Sequence, residues 1–438
     1  MKYCYTIFFM FFWCCTTVVQ AKLTLMEIHT IALKKPDKLF PAYRKSALIF
    51  SPNGTELCVN RLFIKPGPDA YNFHNQISVH DIKNLTASNF MFEVPNPNPN
   101  PNTVTDIKFS AINKVMAVVL ADYRQLIINS SAVLYDFGGE GDSPKTHSLK
   151  GNGQTCMAFA PDKPDIAIDG SEKLQRFDIA NPGNITLKIE SSVESGQPWK
   201  ITFTSGGELI AIGTYPYKEG SELSETFISV HTMNDTHILK EIYKKYNKAF
   251  VAGDMVVDPK SRWLATYDGR DYGSLFVFKL DINNMDESVP LDYFPFGKEN
   301  PREVVFIASN GTGILMVGSN SYDKKADYAD YADYVDYNKK AIAYRKAQIR
   351  SYKEGYIELF NMTDLKNLTM VGQIKTSPIE SGAFNSERDI LVLGFYDMPE
   401  NKPIALYEIG EINHNDQLHN NVIMIALCVF LPYSIFNL

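Results

Sequence analysis

Cysteine is scarce in this chain. Of the six cysteines in 438 residues, Cys4, Cys14 and Cys15 fall in an apolar N-terminal run and Cys428 in an apolar C-terminal one, which leaves Cys58 and Cys156. Two thiols in so long a chain exclude a disulfide-stapled scaffold. Basic clusters are missing too. The 43 Lys and Arg stand against 50 Asp and Glu, a formal charge of −7, which argues against capture of nucleic acid. Outside one Tyr- and Asp-rich insertion, no stretch keeps a helical period of apolar residues. Catalytic signatures are absent as well. The histidines at 29, 74, 80, 147, 231, 237, 414 and 419 show neither His-x-His nor His-Glu-x-x-His spacing, and there is no phosphate-binding glycine loop or Gly-x-Ser-x-Gly turn. No cofactor is implied. What is present, 45% hydrophobic and 21% charged residues, is the composition of a globular protein with room for one large fold or two to three domains.

Neither end resembles that globule. After Lys2, residues 3–19 are almost all apolar or aromatic and the run closes on Val19-Gln20-Ala21, the pattern of a secretory signal cleaved after Ala21. At the other end, residues 422–436 are apolar apart from Tyr433 and Ser434, contain Pro432, and are followed by no Lys or Arg. That is short of the ~20 residues of a membrane-crossing helix and carries no cytoplasmic anchor. Preceded by the polar stretch 413–417, it has the form of a GPI-attachment signal, with Asn413 as the lipid-attachment candidate and Gly410 as a poorer one. A short transmembrane anchor and a buried terminal element are the alternatives. The reading divides the chain into a signal (1–21), a folded domain (22–410, with an insertion at 320–353) and a spacer with tail (411–438). It places the protein in the secretory pathway, on the extracellular face of the cell membrane. Asn-x-Ser/Thr acceptors at Asn53, Asn84, Asn129, Asn184, Asn234, Asn310, Asn361 and Asn367 agree with that route.

A repeat runs through the middle. Seven segments open on apolar residues and close on a polar turn: Ala47-Leu48-Ile49-Phe50-Ser51-Pro52-Asn53-Gly54, Ile107-Lys108-Phe109-Ser110, Met157-Ala158-Phe159-Ala160-Pro161-Asp162, Ile201-Thr202-Phe203-Thr204, Met255-Val256-Val257-Asp258-Pro259, Val305-Phe306-Ile307-Ala308-Ser309 and Ala383-Phe384-Asn385-Ser386. Short apolar runs broken by Pro, Asn, Asp and Gly read as strands joined by tight turns. Each copy then yields a third strand ending on an aromatic residue, at positions 80, 135, 177, 231, 278, 360 and 407. The steps are 55, 42, 54, 47, 82 and 47, close to the ~40–50-residue period of a four-stranded blade except across the insertion. Fourth strands follow six copies. The seventh has none, while residues 23–33 supply an unpaired apolar strand at the chain's start. A circular assembly needs such a strand to complete its last sheet and remove the open edge. The expectation is an all-β, seven-bladed β-propeller closed by its N-terminal strand.

These residues resemble the WD-repeat and related propeller superfamily, in the first turn of each copy and in the aromatic-plus-acid third strand (His80-Asp81, Tyr135-Asp136, Phe177-Asp178). The resemblance covers residues 23–409. It departs from the pattern in having no Trp in that slot and no Gly-His pair opening the blades. It implies a rigid platform for partners, although propellers also host hydrolases.

Residues 96–102 alternate Asn and Pro, a stiff connector between the first two blades. Residues 327–337 repeat Asp and Tyr and are followed by Lys339, Lys340, Arg345, Lys346 and Arg350, which suits a solvated loop or hairpin, or a docking stripe. His80 and His231 occupy the aromatic slot and read as structural. Cys58 and Cys156 fall in non-neighbouring blades and read as buried free thiols, not a disulfide. Asp106, Asp254, Glu303 and Glu380 recur just before the inner strand in four copies. Carboxylates at a funnel mouth could hold a divalent cation and support a metal-assisted hydrolase; as turn residues at strand starts they carry no such role. The leading expectation is a monomeric, glycosylated surface platform for a protein or glycan partner, with the hydrolase and a structural coat protein as rivals.

Overall fold

The computed structural model describes residues 24–31, 40–41, 47–66, 71–82, 84–94, 103–122, 129–138, 144–149, 154–170, 173–192, 197–214, 226–233, 238–246, 252–258, 260–268, 275–280, 290–292, 302–309, 311, 313–322, 352–365, 368–396 and 404–410. The signal, the Asn/Pro stretch, the Tyr/Asp insertion and the C-terminal tail with Asn413 lie outside these residues. Among the described residues there is no helix, and the strands form seven small antiparallel sheets.

In chain order, β1 is Thr24–Ile31 and β2 is Phe40–Pro41. The first sheet adds β3 (Ala47–Phe50), β4 (Glu56–Pro66), β5 (Tyr71–Asp81) and β6 (Asn84–Glu93). The second holds β7 (Thr103–Phe109), β8 (Val115–Asp122), β9 (Asn129–Asp136) and β10 (Lys145–Leu149). The third holds β11 (Gln154–Phe159), β12 (Asp165–Gly170), β13 (Lys173–Asp178) and β14 (Thr186–Ser192). The fourth holds β15 (Gln197–Phe203), β16 (Leu209–Thr214), β17 (Thr226–Met233) and β18 (Ile238–Tyr246). The fifth holds β19 (Ala252–Val257), β20 (Trp263–Asp268), β21 (Leu275–Lys279) and β22 (Pro290–Asp292). The sixth holds β23 (Arg302–Ser309), β24 (Ile314–Tyr322), β25 (Tyr352–Asn361) and β26 (Thr369–Thr376). The seventh holds β27 (Ile379–Asn385), β28 (Ile390–Phe395) and β29 (Ile404–Gly410), and its fourth strand is β1.

β1 lies antiparallel to β29, Thr24 opposite Gly410 and Ile31 opposite Ile404. First strands of consecutive sheets are neighbours in the order β3, β7, β11, β15, β19, β23, β27, and β27 is again beside β3. Two details differ from the sequence reading. The long β4 pairs with β3 through Leu57–Asn60 and with β2 at Phe63 and Ile64, so the inner strand of that sheet comes in two pieces. The insertion is also shorter than 320–353, because β24 continues to Tyr322 and β25 begins at Tyr352.

Burial explains the strand patterns. The second strand of a sheet is covered on both faces by neighbouring sheets, so β28 is apolar and buried at every position. The fourth strand is outermost, and β26 has only half-buried and exposed residues. Cores form between sheets. Val115, Ala117 and Leu134 of the second pack against Met157, Ile166, Ile168 and Phe177 of the third. Each such Val, Leu, Ile or Phe contributes about 1.5–3 kcal/mol relative to exposure.

Within a sheet of this order, first and third strands begin at one end, here called upper, and the first-to-second and third-to-fourth turns lie at the lower end. Contacts between neighbours match like ends. At the upper end the Val104 N–H donates to Asn75 Oδ1 (3.3 Å), and Asn320 exchanges two 2.7 Å hydrogen bonds with the Ile379 backbone. At the lower end Asn113 Nδ2 donates to the Ile179 carbonyl (3.2 Å).

Candidate functional site

The upper end carries the carboxylates singled out in the sequence. Its inner strands share a device: β7, β11, β15, β19, β23 and β27 each break register with their partner near their start. An extra residue there twists the strand and re-aims its side chains. Asp254 and Glu380 lie within these breaks, Asp106 directly follows one and Glu303 precedes one.

The four acids face different neighbours. Asp106 is buried, accepts the Met157 N–H from the next sheet (3.3 Å) and has Lys108 at 3.8 Å. Asp254 Oδ1 accepts the Met255 N–H (2.8 Å), while its carbonyl accepts the Thr266 hydroxyl (2.6 Å). Glu303 accepts the Tyr352 hydroxyl. Glu380 faces Arg61, whose pKa falls to about 10 because burial outweighs the attraction of that carboxylate. Asp254 and Glu303 do act on one common group. The Tyr267 hydroxyl, bonded to the Val305 carbonyl (3.0 Å), is held far above its usual range first by burial and then by these two acids. Among the described residues no group of three or more His, Cys, Asp or Glu is arranged to hold a metal ion.

The sixth sheet builds a denser upper-end cluster that sequence reasoning missed. The Arg302 guanidinium sits 4.0 Å from the centre of the Tyr356 ring and pairs with Glu358, which also accepts Gln373 Nε2 (2.6 Å). The Tyr356 hydroxyl donates to Glu354, and Lys375 pairs with the same carboxylate. Hydrogen bonds from Lys375 and then Tyr356 hold the Glu354 carboxyl below its ordinary range, and Glu354 raises both partners in return. Tyr352 stacks on Tyr396 of the seventh sheet at 5.4 Å. The one sequence signal was the run Tyr352-Lys353-Glu354-Gly355-Tyr356 at the insertion's end, where tyrosines and charges alternate along a strand.

Other singled-out residues sit elsewhere. The Nε2 atoms of His80 and His231 lie 2.9 Å from the hydroxyls of Ser78 and Ser229, toward the lower end, and burial lowers both imidazoles, His231 to about 4. Cys58 in β4 and Cys156 in β11 are buried and not joined in a disulfide, and burial pushes the Cys58 thiol well above its usual range.

No protein-family model matches the chain, and no curated protein sequence does. Solved structures do. The β-propeller domain of Cps50 (Swd1) from Myceliophteria thermophila superposes with a TM-score of 0.54 at 9% identity, over 88% of this chain and 100% of that one. A chain of the mitotic checkpoint complex superposes with a TM-score of 0.52 at 11% identity, over 90% of this chain and 94% of that one. At such identities the likeness is one of fold, and the fold of this chain is a β-propeller.

Proposed function

We propose that the protein is a secreted, glycosylated propeller of seven blades, held shut by β1, displayed on the outer face of the cell membrane through its C-terminal tail, and that it binds a protein partner on its upper end. The β1–β29 pairing and the cyclic order of the inner strands support the closed seven-blade reading. The signal-like start, the acceptor asparagines and the apolar tail support the address.

One observation carries the choice of face. Arg302, Tyr356 and Tyr396 stand partly exposed at the upper end, tied by stacking on the buried Tyr352 and by charge pairs to neighbouring strands. Tyr and Arg dominate interface hot spots, and side chains already fixed lose little entropy on binding. A structural neighbour that belongs to a multiprotein assembly, the mitotic checkpoint complex, is in keeping with a protein partner. Dispersal of the four acids among separate neighbours gives the hydrolase reading no matching support.

The test uses the full chain on intact cells. Phosphatidylinositol-specific phospholipase C is expected to release it, and retention on the cell overturns the lipid anchor. Surface cross-linking is expected to trap a protein whose yield falls about tenfold in Tyr356→Ala/Tyr396→Ala, the effect of losing ~1.4 kcal/mol. An unchanged yield from a variant that melts like the parent overturns the choice of the upper end.

A further inference from the structure

The strand order decides at which end each acceptor asparagine stands. Asn53 lies in the turn between β3 and β4, Asn184 between β13 and β14, and Asn361 is the last residue of β25; all three are lower-end positions. Asn84, the first residue of β6 and paired with Asp81, is another. Asn234, Asn310 and Asn367 lie outside the described residues. Of the five acceptors among the described residues only Asn129, paired with Asp122 at the start of β9, belongs to the upper end. Loop length does not produce this bias. The long connections 215–225 and 323–351 join upper-end strand termini and hold no acceptor.

We infer that N-linked glycans are carried on the lower end of the propeller, and that the upper end is left bare except beside Asn129. The inference rests on the secretory reading above and adds to it the face that is sheathed and the face that is open. The chemistry is transfer of an oligosaccharyl group from a lipid-linked pyrophosphate donor. A C–N bond forms between the anomeric carbon and Asn Nδ2, the anomeric C–O bond breaks, and the displaced proton leaves with the lipid pyrophosphate.

Local geometry suits that outcome. Asn53 Oδ1 accepts the N–H and hydroxyl of Thr55 at 3.2 and 2.8 Å, and Asn361 Oδ1 accepts those of Thr363 at 2.9 and 2.7 Å. In both turns the carboxamide oxygen does the bonding, and the nitrogen that would carry sugar takes no part in the turn. Asn53 and Asn184 are exposed, so a glycan on either runs straight into solvent.

Two measurements on protein solubilised from the surface of expressing cells test the inference. Enzymatic deglycosylation in heavy-oxygen water, read by mass spectrometry, is expected to mark Asn53, Asn184 and Asn361 as occupied in most molecules. Empty lower-end acceptors in secreted protein overturn the inference alone, whereas absence of the chain from the secretory route overturns the reading beneath it. The second measurement asks which face is covered. Ala180→Cys stands four residues from Asn184 at the lower end, and Lys375→Cys stands at the upper end of β26; both sites are exposed, while native Cys58 and Cys156 are buried. A polymer-linked maleimide is expected to label Ala180→Cys several-fold faster after glycan trimming and Lys375→Cys at an unchanged rate. Equal rates at both sites before and after trimming, or acceleration at Lys375→Cys, overturn it.

Discussion

The lower and upper ends of this propeller are held together in different ways. At the lower end the backbone closes its own turns. The N–H groups of Ser51, Ser110, Ala160 and Asp258 each donate across the turn to the residue five positions on, at 2.9 Å. A second repeated bond brings in the third strand, from Ile82 to Thr55, Phe137 to Lys114, Ile179 to Pro164, Leu280 to Arg262 and Met362 to Gly313. At the upper end, single side chains tie one sheet to the next: Asn75 to Val104, Asp106 to Met157, Tyr267 to Val305 and Asn320 to Ile379. A turn that satisfies its own backbone tolerates many side chains, so the lower end can take up acceptor sequences. The upper end is held by particular side chains that also shape its surface.

Substitutions can break this contrast. The largest effect is expected where the lower end departs from its own rule. Asp165 is fully buried and paired with Arg176 and with Lys188 at 3.1 Å. Asp165→Ala removes the anion shared by two cations and should cost about 3–5 kcal/mol, read as a lower urea midpoint. If the midpoint barely moves, the lower end is secured by its backbone alone.

At the upper end, Asn320→Ala strips both hydrogen bonds from the buried Ile379 backbone and should cost about 2–4 kcal/mol in the same measurement. A loss below ~1 kcal/mol would mean that the sheets do not depend on their side-chain ties.

A smaller effect separates the ends by pH. His231 is depressed to about 4 by burial, so between its unfolded pKa near 6.5 and that value the unfolded chain binds a proton that the folded one refuses. Stability should therefore be full above pH 6.5 and fall by roughly 2–3 kcal/mol as the pH drops to 4. His231→Gln should flatten that part of the curve; an unflattened curve would assign the acid sensitivity to other groups.

How far the sequence foretold this structure follows the same division. The turns were legible because Ser51-Pro52-Asn53-Gly54 or Thr204-Ser205-Gly206-Gly207 act locally, and the strands because the apolar runs between such turns are short. The surplus strand at 23–33 was legible because the last copy lacked a fourth strand, and β1 stands there. The register breaks of the inner strands were not, since crowding near the axis is a property of the assembly. Nor was Phe40–Pro41, too short to signal a strand. Asp106, Asp254, Glu303 and Glu380 read as residues just before the inner strands but lie within the opening residues of those strands, and the partners of three of them are far along the sequence: Met157 for Asp106, Tyr352 for Glu303 and Arg61 for Glu380. The Arg302–Tyr356 stack joins residues of two strands separated by the insertion, and no local pattern announces it.

The pairing of β1 with β29 has a mechanical consequence. Seven register pairs join the two strands, with Thr24 opposite Gly410. Under the proposed C-terminal tether, the pull enters at Gly410 and runs along β29. Tension between the tether and a load on the far end would strain the ladders to β28 and β1 in shear, many bonds at once, instead of peeling them singly. The sheet assembled from both ends of the chain would then be where a pulled molecule resists most.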